Sequence, residues 1–219
     1  FRNEAQNMID GRVYWRPQKG IFPIYAADMF ETTSDVLVME RASEKPIDKF
    51  HTNDLPLKNE ALETFLEIWY DEALFGSGFF HGDLHAGNIF FNPTPLPGYA
   101  PYGRDYQLTL IDFGSCGRLD KKEKKAIITL ILGSTAKNSA LVVRAFKALT
   151  PMTSGQEEKF KAGLEDIYAK GTDPSETCNL IVNKAIEMEF GLPKNFILFN
   201  RGRAFLENQI RDTTKELDK

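Results

Sequence analysis

The chain has 219 residues, 42% apolar and 26% charged, with 27 Lys and Arg set against 31 Asp and Glu for a net charge of -4. This is the composition of an ordinary globular domain with a buried core, and it excludes collagen-like, low-complexity and disulfide-framed miniprotein architectures. Mild acidity, relieved only by the short Lys121-Lys122-Glu123-Lys124-Lys125 patch, argues against a nucleic-acid binder held by phosphate neutralisation.

In chain order, residues 3–9 have helix-tolerant composition that Gly11 is expected to stop, before short apolar runs at 13–15, 21–25 and 36–39 that read as strands. The last of these, Val36-Leu37-Val38-Met39, is apolar and partly β-branched, as a buried strand leading into a linker would be, and sets a lobe boundary near Arg41. From Asn59 the period changes. Leu62, Phe65, Leu66, Trp69 and Ala73 recur at three- and four-residue steps on one helical face, with Glu63, Glu67 and Asp71 forming a solvated stripe opposite. Gly76 and Gly78 end that helix, residues 92–106 are rich in Pro and Gly and read as an irregular loop, and strand character returns at 107–111. Asp120 with Glu123 makes a capping box for a helix reaching Ala136, and further helices are expected over about 138–149, 155–170, 174–190 and 194–215. The expected fold class is therefore α+β and predominantly helical, with a few strands ahead of a helical body.

Cys116 and Cys178 stand without a CxxC pair or a nearby His cluster, so neither a disulfide framework nor a zinc site is indicated and a reducing compartment is the default. The apolar stretches fall far short of the roughly 20 residues of a membrane span. The opening Phe1-Arg2-Asn3-Glu4 carries no apolar targeting core.

The densest polar cluster is His81-Gly82-Asp83-Leu84-His85-Ala86-Gly87-Asn88, followed downstream by Ile111-Asp112-Phe113-Gly114. Strands on either side would hold Asp83 and Asn88 rigidly and deliver Asp112 to the same cleft. Magnesium takes oxygen ligands, commonly a carboxylate and an amide carbonyl, with nucleotide phosphate oxygens completing the shell; Asn88 and Asp112 supply such a pair. Phosphoryl transfer leaves the protein mainly positioning and electrostatics, plus one further carboxylate to orient or deprotonate the attacking oxygen. Asp83 is that candidate. The Asp-x-x-x-x-Asn spacing is that of the kinase catalytic loop, and Asp-Phe-Gly follows in the correct order. Either motif alone is weak; together they indicate a kinase-like nucleotide site.

These segments, with Phe1-Arg2-Asn3-Glu4-Ala5-Gln6-Asn7, the Val36 to Arg41 strand and the Gly117-Arg118-Leu119-Asp120 continuation, resemble the UbiB family of atypical kinases, the coenzyme Q kinase-like proteins with an ABC1 kinase-like domain. The resemblance implies a protein-kinase-like, helical C-terminal lobe over 42–219, preceded over 1–41 by a remnant of the N-terminal lobe. It implies Asp83 as the catalytic-loop aspartate, Asn88 and Asp112 as Mg²⁺ ligands, and Met39, Glu40, Arg41 and Ala42 as the inter-lobe hinge facing the adenine of ATP or ADP. His85 takes the position of the phosphate-contacting lysine of ordinary protein kinases; phosphate contact and a loop-fixing hydrogen bond are both open to it, since a histidine is mostly neutral near pH 7. His81 is expected to buttress the loop against the Asp-Phe-Gly segment, and Glu4 and Cys116 are read as structural.

Departures accompany the match. Ala86 stands where the family usually has Pro, and the connection from Ile89 to Ile111 is long. No nucleotide loop or strand lysine precedes the hinge-like strand, so the chain reads as a fragment of a longer protein. By resemblance, that protein is a Mg-dependent ATPase or phosphotransferase supporting ubiquinone biosynthesis or membrane lipid homeostasis, in a mitochondrion on the matrix side of the inner membrane or in a bacterial cytoplasm or membrane. Its implied partners are nucleotide, a lipid or quinone-precursor ligand, a membrane surface and proteins of a biosynthetic complex, with no nucleic acid. Two alternatives stand beside it. One is a small-molecule phosphotransferase of the aminoglycoside or choline kinase type, against which Phe113 and the Gly117-Arg118-Leu119-Asp120 continuation speak. The other is a nucleotide-sensing pseudokinase scaffold, against which the retention of Asp83, Asn88 and Asp112 speaks.

Overall fold

A computed structural model of the chain describes residues 1–15, 31–39, 41–42, 45–50, 54–93 and 106–218. The chain divides into two units, Phe1–Arg118 with Arg201–Lys219, and Leu119–Asn200. The fold is α+β and predominantly helical, as the periodicities require. The first unit carries α1 (Arg2–Tyr14), α2 (Leu55–Tyr70), the strands β1 (Glu31–Thr32), β2 (Leu37–Val38), β3 (Lys45–Pro46), β4 (Phe79–His81), β5 (Ile89–Asn92), β6 (Gln107–Leu110) and β7 (Cys116–Arg118), and most of α7 (Lys194–Leu217). The second carries α3 (Lys121–Thr135), α4 (Ser139–Leu149), α5 (Ser154–Ala169), α6 (Pro174–Glu187) and the first turns of α7.

Helix α2 obeys its apolar period: Ala61, Leu62, Phe65 and Trp69 are buried, while Glu63 and Glu67 face solvent. It starts earlier than the period alone suggests, because Pro56 is tolerated in the first turn, where its missing N–H is needed by no helical partner. A π-helical turn over Asp71–Phe75 then carries the chain to Gly76.

Two expectations for the N-terminal part need correction. Helix α1 does not stop at Gly11 but runs through it to Tyr14, and the run 13–15 is therefore helix end and not strand. The reason is packing. Ala5, Met8 and Gly11 recur at three-residue steps on its buried face, and Trp15, 2% exposed, sets its indole against Phe65, Phe79 and Phe113 at centroid distances of 6.3, 5.1 and 6.5 Å. Burial of such a ring outweighs the loss of roughly 1 kcal/mol that glycine imposes inside a helix. The Val36 run is also not a buried strand: only Leu37–Val38 pair, with Glu31–Thr32, and Val36 and Val38 are 53% and 41% exposed. The strand expected at 21–25 and most of the expected loop, 94–105, lie outside the described residues.

The strand pairings position the site. β5 lies antiparallel between β3 and β6, in register Ile89↔Leu110 and Asn92↔Gln107 with β6. β4 pairs antiparallel with β7, His81 opposite Cys116. Strand β4 enters the loop 82–88 that β5 leaves, and β6 enters the turn 111–115 that β7 leaves. Pairing β4 with β7 and β5 with β6 therefore lays the loop and the turn side by side. Neither pairing is readable from one segment by itself.

The second unit is a helical cluster around Phe146, whose ring meets Phe160, Phe190 and Phe196 at 5.1, 6.3 and 5.8 Å. Such tilted pairs are preferred over face-to-face stacks. Its helices start where the polar caps lie. Asp120 accepts from Glu123 N while Glu123 returns to Asp120 N, the capping box expected from the spacing, and Thr153 with Gln156 forms a second. Helix α6 ends at Glu187, short of 190, because Glu189 turns left-handed at φ 56 and Phe190 N–H returns to Ala185 O. Asp120→Ala removes the carboxylate that accepts from Glu123 N, one of the two bonds of the first box, and is expected to lower stability by about 1 kcal/mol in urea denaturation; an unchanged midpoint would show that the Asp120 cap contributes nothing.

Candidate functional site

His81 organises the loop. Its imidazole is fully buried, Nδ1 accepting from Asp83 N at 3.2 Å and Nε2 lying 3.1 Å from Ile111 O. With Nδ1 an acceptor, Nε2 carries the proton and donates to the carbonyl. One neutral ring thus ties the loop to the strand end that carries Asp112. A second proton would meet the Asp83 N–H with no acceptor, and burial pushes the imidazole down to about 4 against the opposing pull of Ile111 O and the charges of Asp112 and Asp83. The ring also stands edge-on to Phe113 at 5.2 Å, so His81 buttresses the loop against the Asp-Phe-Gly segment.

Further backbone bonds close the same contact. Gly82 N donates to Ser115 O at 2.8 Å and Ile111 N to Asn88 O at 3.1 Å. Asn88 follows the loop immediately before β5, and Asp112 follows Ile111 immediately after β6, so the two side chains are brought to one end of the β5–β6 pair. Asp83 joins them through its carbonyl, which accepts from Asn88 Nδ2 at 2.9 Å.

Asp112 adopts the left-handed conformation, φ 59 and ψ 68, which costs most residues about 1 kcal/mol or more and which aspartate tolerates through local bonding. Here Oδ1 accepts from Gly114 N at 3.4 Å, and the side chain remains exposed. Asn88 is 5% exposed, and its amide nitrogen is occupied by Asp83 O, which leaves Oδ1 as the free oxygen donor. An exposed carboxylate and an oriented amide oxygen fit the oxygen preference of Mg²⁺. Among the described residues no group of three or more His, Cys, Asp or Glu is disposed to hold a metal ion, so phosphate or water oxygens would have to complete a shell built on this pair.

His85 is exposed, and its Nδ1 accepts from Gly87 N at 3.1 Å. That is the loop-fixing bond, and with Nδ1 an acceptor the ring's proton sits on Nε2. Met39 is half-buried beyond β2, Arg41 is exposed and Ala42 half-buried, and among the described residues no hydrogen bond or ion pair links them to Asp83, Asn88 or Asp112. Glu40 lies outside the described residues.

Three groups at the site escaped sequence reasoning. Arg201 of α7 sets Nη2 2.7 Å from Asp83 Oδ1, and no spacing rule joins positions so far apart. Gly202, the next residue, has no room for a side chain: a Cβ there would meet His81 O at 2.9 Å and Gly82 Cα at 3.1 Å. Glu4, read as structural, comes to the Asp-Phe-Gly turn, where Asn7 of the same helix donates to Phe113 O at 2.8 Å. Burial, and then the charge of Asp112, push the Glu4 carboxyl up. The three-residue spacing of Glu4 and Asn7 was the one available signal, a shared helix face. Cys116 is opposite His81; burial raises its thiol far above the ordinary range, assisted by Asp112, Glu4 and Asp10, so it stays protonated and a poor nucleophile.

Comparison with known proteins agrees with this geometry. The ABC1 atypical kinase-like domain matches residues 1–146. The chain belongs to that family. Within it, the chain is 24% identical over 208 residues to the probable protein kinase UbiB of Histophilus somni, covering 89% of this chain and 37% of the relative. It is 26% identical over 231 residues to the probable protein kinase UbiB of Pasteurella multocida, covering 100% and 42%, and 29% identical over 195 residues to that of Haemophilus ducreyi, covering 84% and 34%. This ABC1 chain thus spans about two fifths of the length of the curated relatives it matches. Its family is kinase-like, and its helical fold is consistent with that of an ABC1 domain.

Two measurements test the ABC1 site as a structure. His81 has a folded value of about 4 against an ordinary 6.5, so between those limits the unfolded chain binds the extra proton. Stability present above pH 6.5 should then fall on acidification toward 4, by up to about 1.4 kcal/mol per pH unit. Denaturation at successive pH values, with the imidazole followed by NMR, reads both; a ring that protonates near 6.5 contradicts the neutral clamp. For Gly202→Ala, helix propensity alone predicts a gain of roughly 1 kcal/mol, whereas the clash with His81 O predicts a net loss. The sign of the change in a urea midpoint decides.

Proposed function

We propose that the loop, the Asp-Phe-Gly turn and Asp83 form the Mg-nucleotide site of an atypical kinase-like protein, an ATPase or phosphotransferase. The observation that carries this reading is the convergence of Asp83, Asn88 and Asp112 through two strand pairings and one buried imidazole. Family membership supports the same reading at the level of kinase-like chemistry.

Asn88 Oδ1 and Asp112 would hold Mg²⁺, which when bound neutralises charge on the phosphate oxygens. The remaining work belongs to the chain. Asp83 has one carboxylate oxygen held by Arg201, so Oδ2 is the atom left to accept the hydrogen bond of an attacking hydroxyl or water. Its main chain is fixed on both sides, the N–H by His81 Nδ1 and the carbonyl by Asn88 Nδ2, so the carboxylate is oriented before substrate arrives. The Nε2–H of the exposed His85 ring offers a donor to a phosphate. Met39, Glu40, Arg41 and Ala42 are assigned to the adenine on the family resemblance.

On the same basis the biological role is support of ubiquinone biosynthesis or membrane lipid homeostasis, with a lipid or quinone precursor, a membrane surface and biosynthetic-complex proteins as partners. Among the described residues no helix is long and apolar enough to cross a membrane.

Asp112→Asn in the complete protein is expected to weaken Mg-nucleotide binding strongly, by at least about tenfold, since a charged ligand to the cation becomes neutral. Calorimetric titration measures this directly. Equal Mg-ATP affinity in the variant and the parent would remove the metal assignment, and nucleotide binding without turnover would identify a pseudokinase.

A further inference from the structure

A phosphoryl group in transit spreads negative charge over its oxygens, and kinase-like sites compensate it with fixed cations. The loop from His81 to Asn88 contains no lysine or arginine, and Asp83 adds a negative charge of its own. Histidine, unlike lysine or arginine, is not a permanent cation at neutral pH.

The C-terminal helix brings the missing charge. Arg201 Nη2 lies 2.7 Å from Asp83 Oδ1, and Nε points at Gly82 O at 3.4 Å. The guanidinium stands 5.9 Å from the ring centroid of Phe205, whose ring is 6.3 Å from that of His85. One edge is therefore planted on the loop. The side chain is nevertheless 48% exposed, and the N–H groups of Nη1 remain for another acceptor.

The backbone of α7 cannot drift from this position. The Cα of Gly202 sits so close to the loop that a methyl group would touch His81 O at 2.9 Å. Two turns on, Gln209 Nε2 donates to Leu84 O at 2.6 Å, and buried Arg203 pairs with Glu207 at 2.6 Å, while Glu207 also accepts from Tyr70 OH at 3.0 Å. Beyond the guanidinium, α7 is thus bonded to the loop through Gln209 and to α2 through Glu207. A planar fork with several donors can serve a carboxylate and an oxyanion together, which a point-charge ammonium does less well.

We propose that Arg201 is the phosphate-contacting cation of this site, one edge orienting Asp83 and the other receiving the terminal phosphate of a nucleoside triphosphate. The proposal rests on the nucleotide reading above and assigns to α7 a charge that the loop does not carry. A residue that served only to compensate Asp83 would lose its effect on triphosphate binding in the Asp83→Asn background, whereas a direct phosphate contact would keep it.

The test is calorimetric titration of the complete protein with Mg-ADP and with a non-hydrolysable Mg-ATP analogue, using the parent, Arg201→Gln and Arg201→Lys, with Arg201→Gln repeated in the Asp83→Asn background. Loss of a charge-assisted contact predicts roughly tenfold weaker binding of the triphosphate analogue by Arg201→Gln, with Mg-ADP affinity within about twofold of the parent. Arg201→Lys, which keeps the charge and is the less disruptive change, should fall between. Equal weakening of both nucleotides, or of neither, or no effect of Arg201→Gln in the Asp83→Asn background, overturns the proposal while the nucleotide site stands. A parent protein that binds neither nucleotide overturns the site reading itself, and the role of Arg201 with it.

Discussion

The His81 imidazole is wholly enclosed, and its two nitrogens work in opposite directions, one receiving the Asp83 N–H and the other donating to Ile111 O. The candidate site depends on that geometry. The ring crosses from the loop to the end of β6, so the separation between Asp83 and Asp112 is set by a rigid aromatic body and not by loop conformation. Both ring positions are used only when the imidazole is neutral, and burial enforces that state. Phe113 against the edge of the ring completes the clamp with an apolar contact that water cannot replace.

Around this clamp the charges are arranged asymmetrically. On the Asp112 side the turn meets the carboxyl of Glu4, whose ionisation is disfavoured by burial and by Asp112 itself, a combination that a divalent cation would relieve. On the Asp83 side stands the guanidinium of Arg201. The left-handed backbone of Asp112 is supported by the bond that its own Oδ1 accepts from Gly114 N and by the flanking bonds, Ile111 N to Asn88 O and Asn7 Nδ2 to Phe113 O, which hold the turn from both sides. Strain at one residue is thereby balanced by ordinary hydrogen bonds at its neighbours.

Much of the fold was legible in local pattern. The apolar steps from Leu62 to Trp69 form the buried face of α2, the Asp120–Glu123 pair caps α3, and the helices after Ser139 begin within a residue or so of the expected positions. Each of these signals acts over one or two helical turns, which a sequence window contains. The misreadings have a common cause. Gly11 is a helix breaker by propensity, but it lies on the buried face of α1, and the burial of Trp15 outweighs propensity. Val36 and Val38 look like core by composition, yet β2 pairs only with β1 among the described residues and both side chains stay exposed.

The sequence by itself determined which residue types stand in the candidate site and in what order. The order and spacing of Asp83, Asn88 and Asp112, and their position between apolar runs, point to a kinase-like site, and the flanking segments carry the resemblance to the family, because spacing along a loop is a covalent property. What only the tertiary structure decided is which distant groups meet them: Glu4 at the Asp-Phe-Gly turn, Gly202 under the loop and Arg201 on Asp83. Those contacts depend on the path of α1 and α7 through a packed interior. That path results from the burial of many side chains at once, so no pair of residues encodes it.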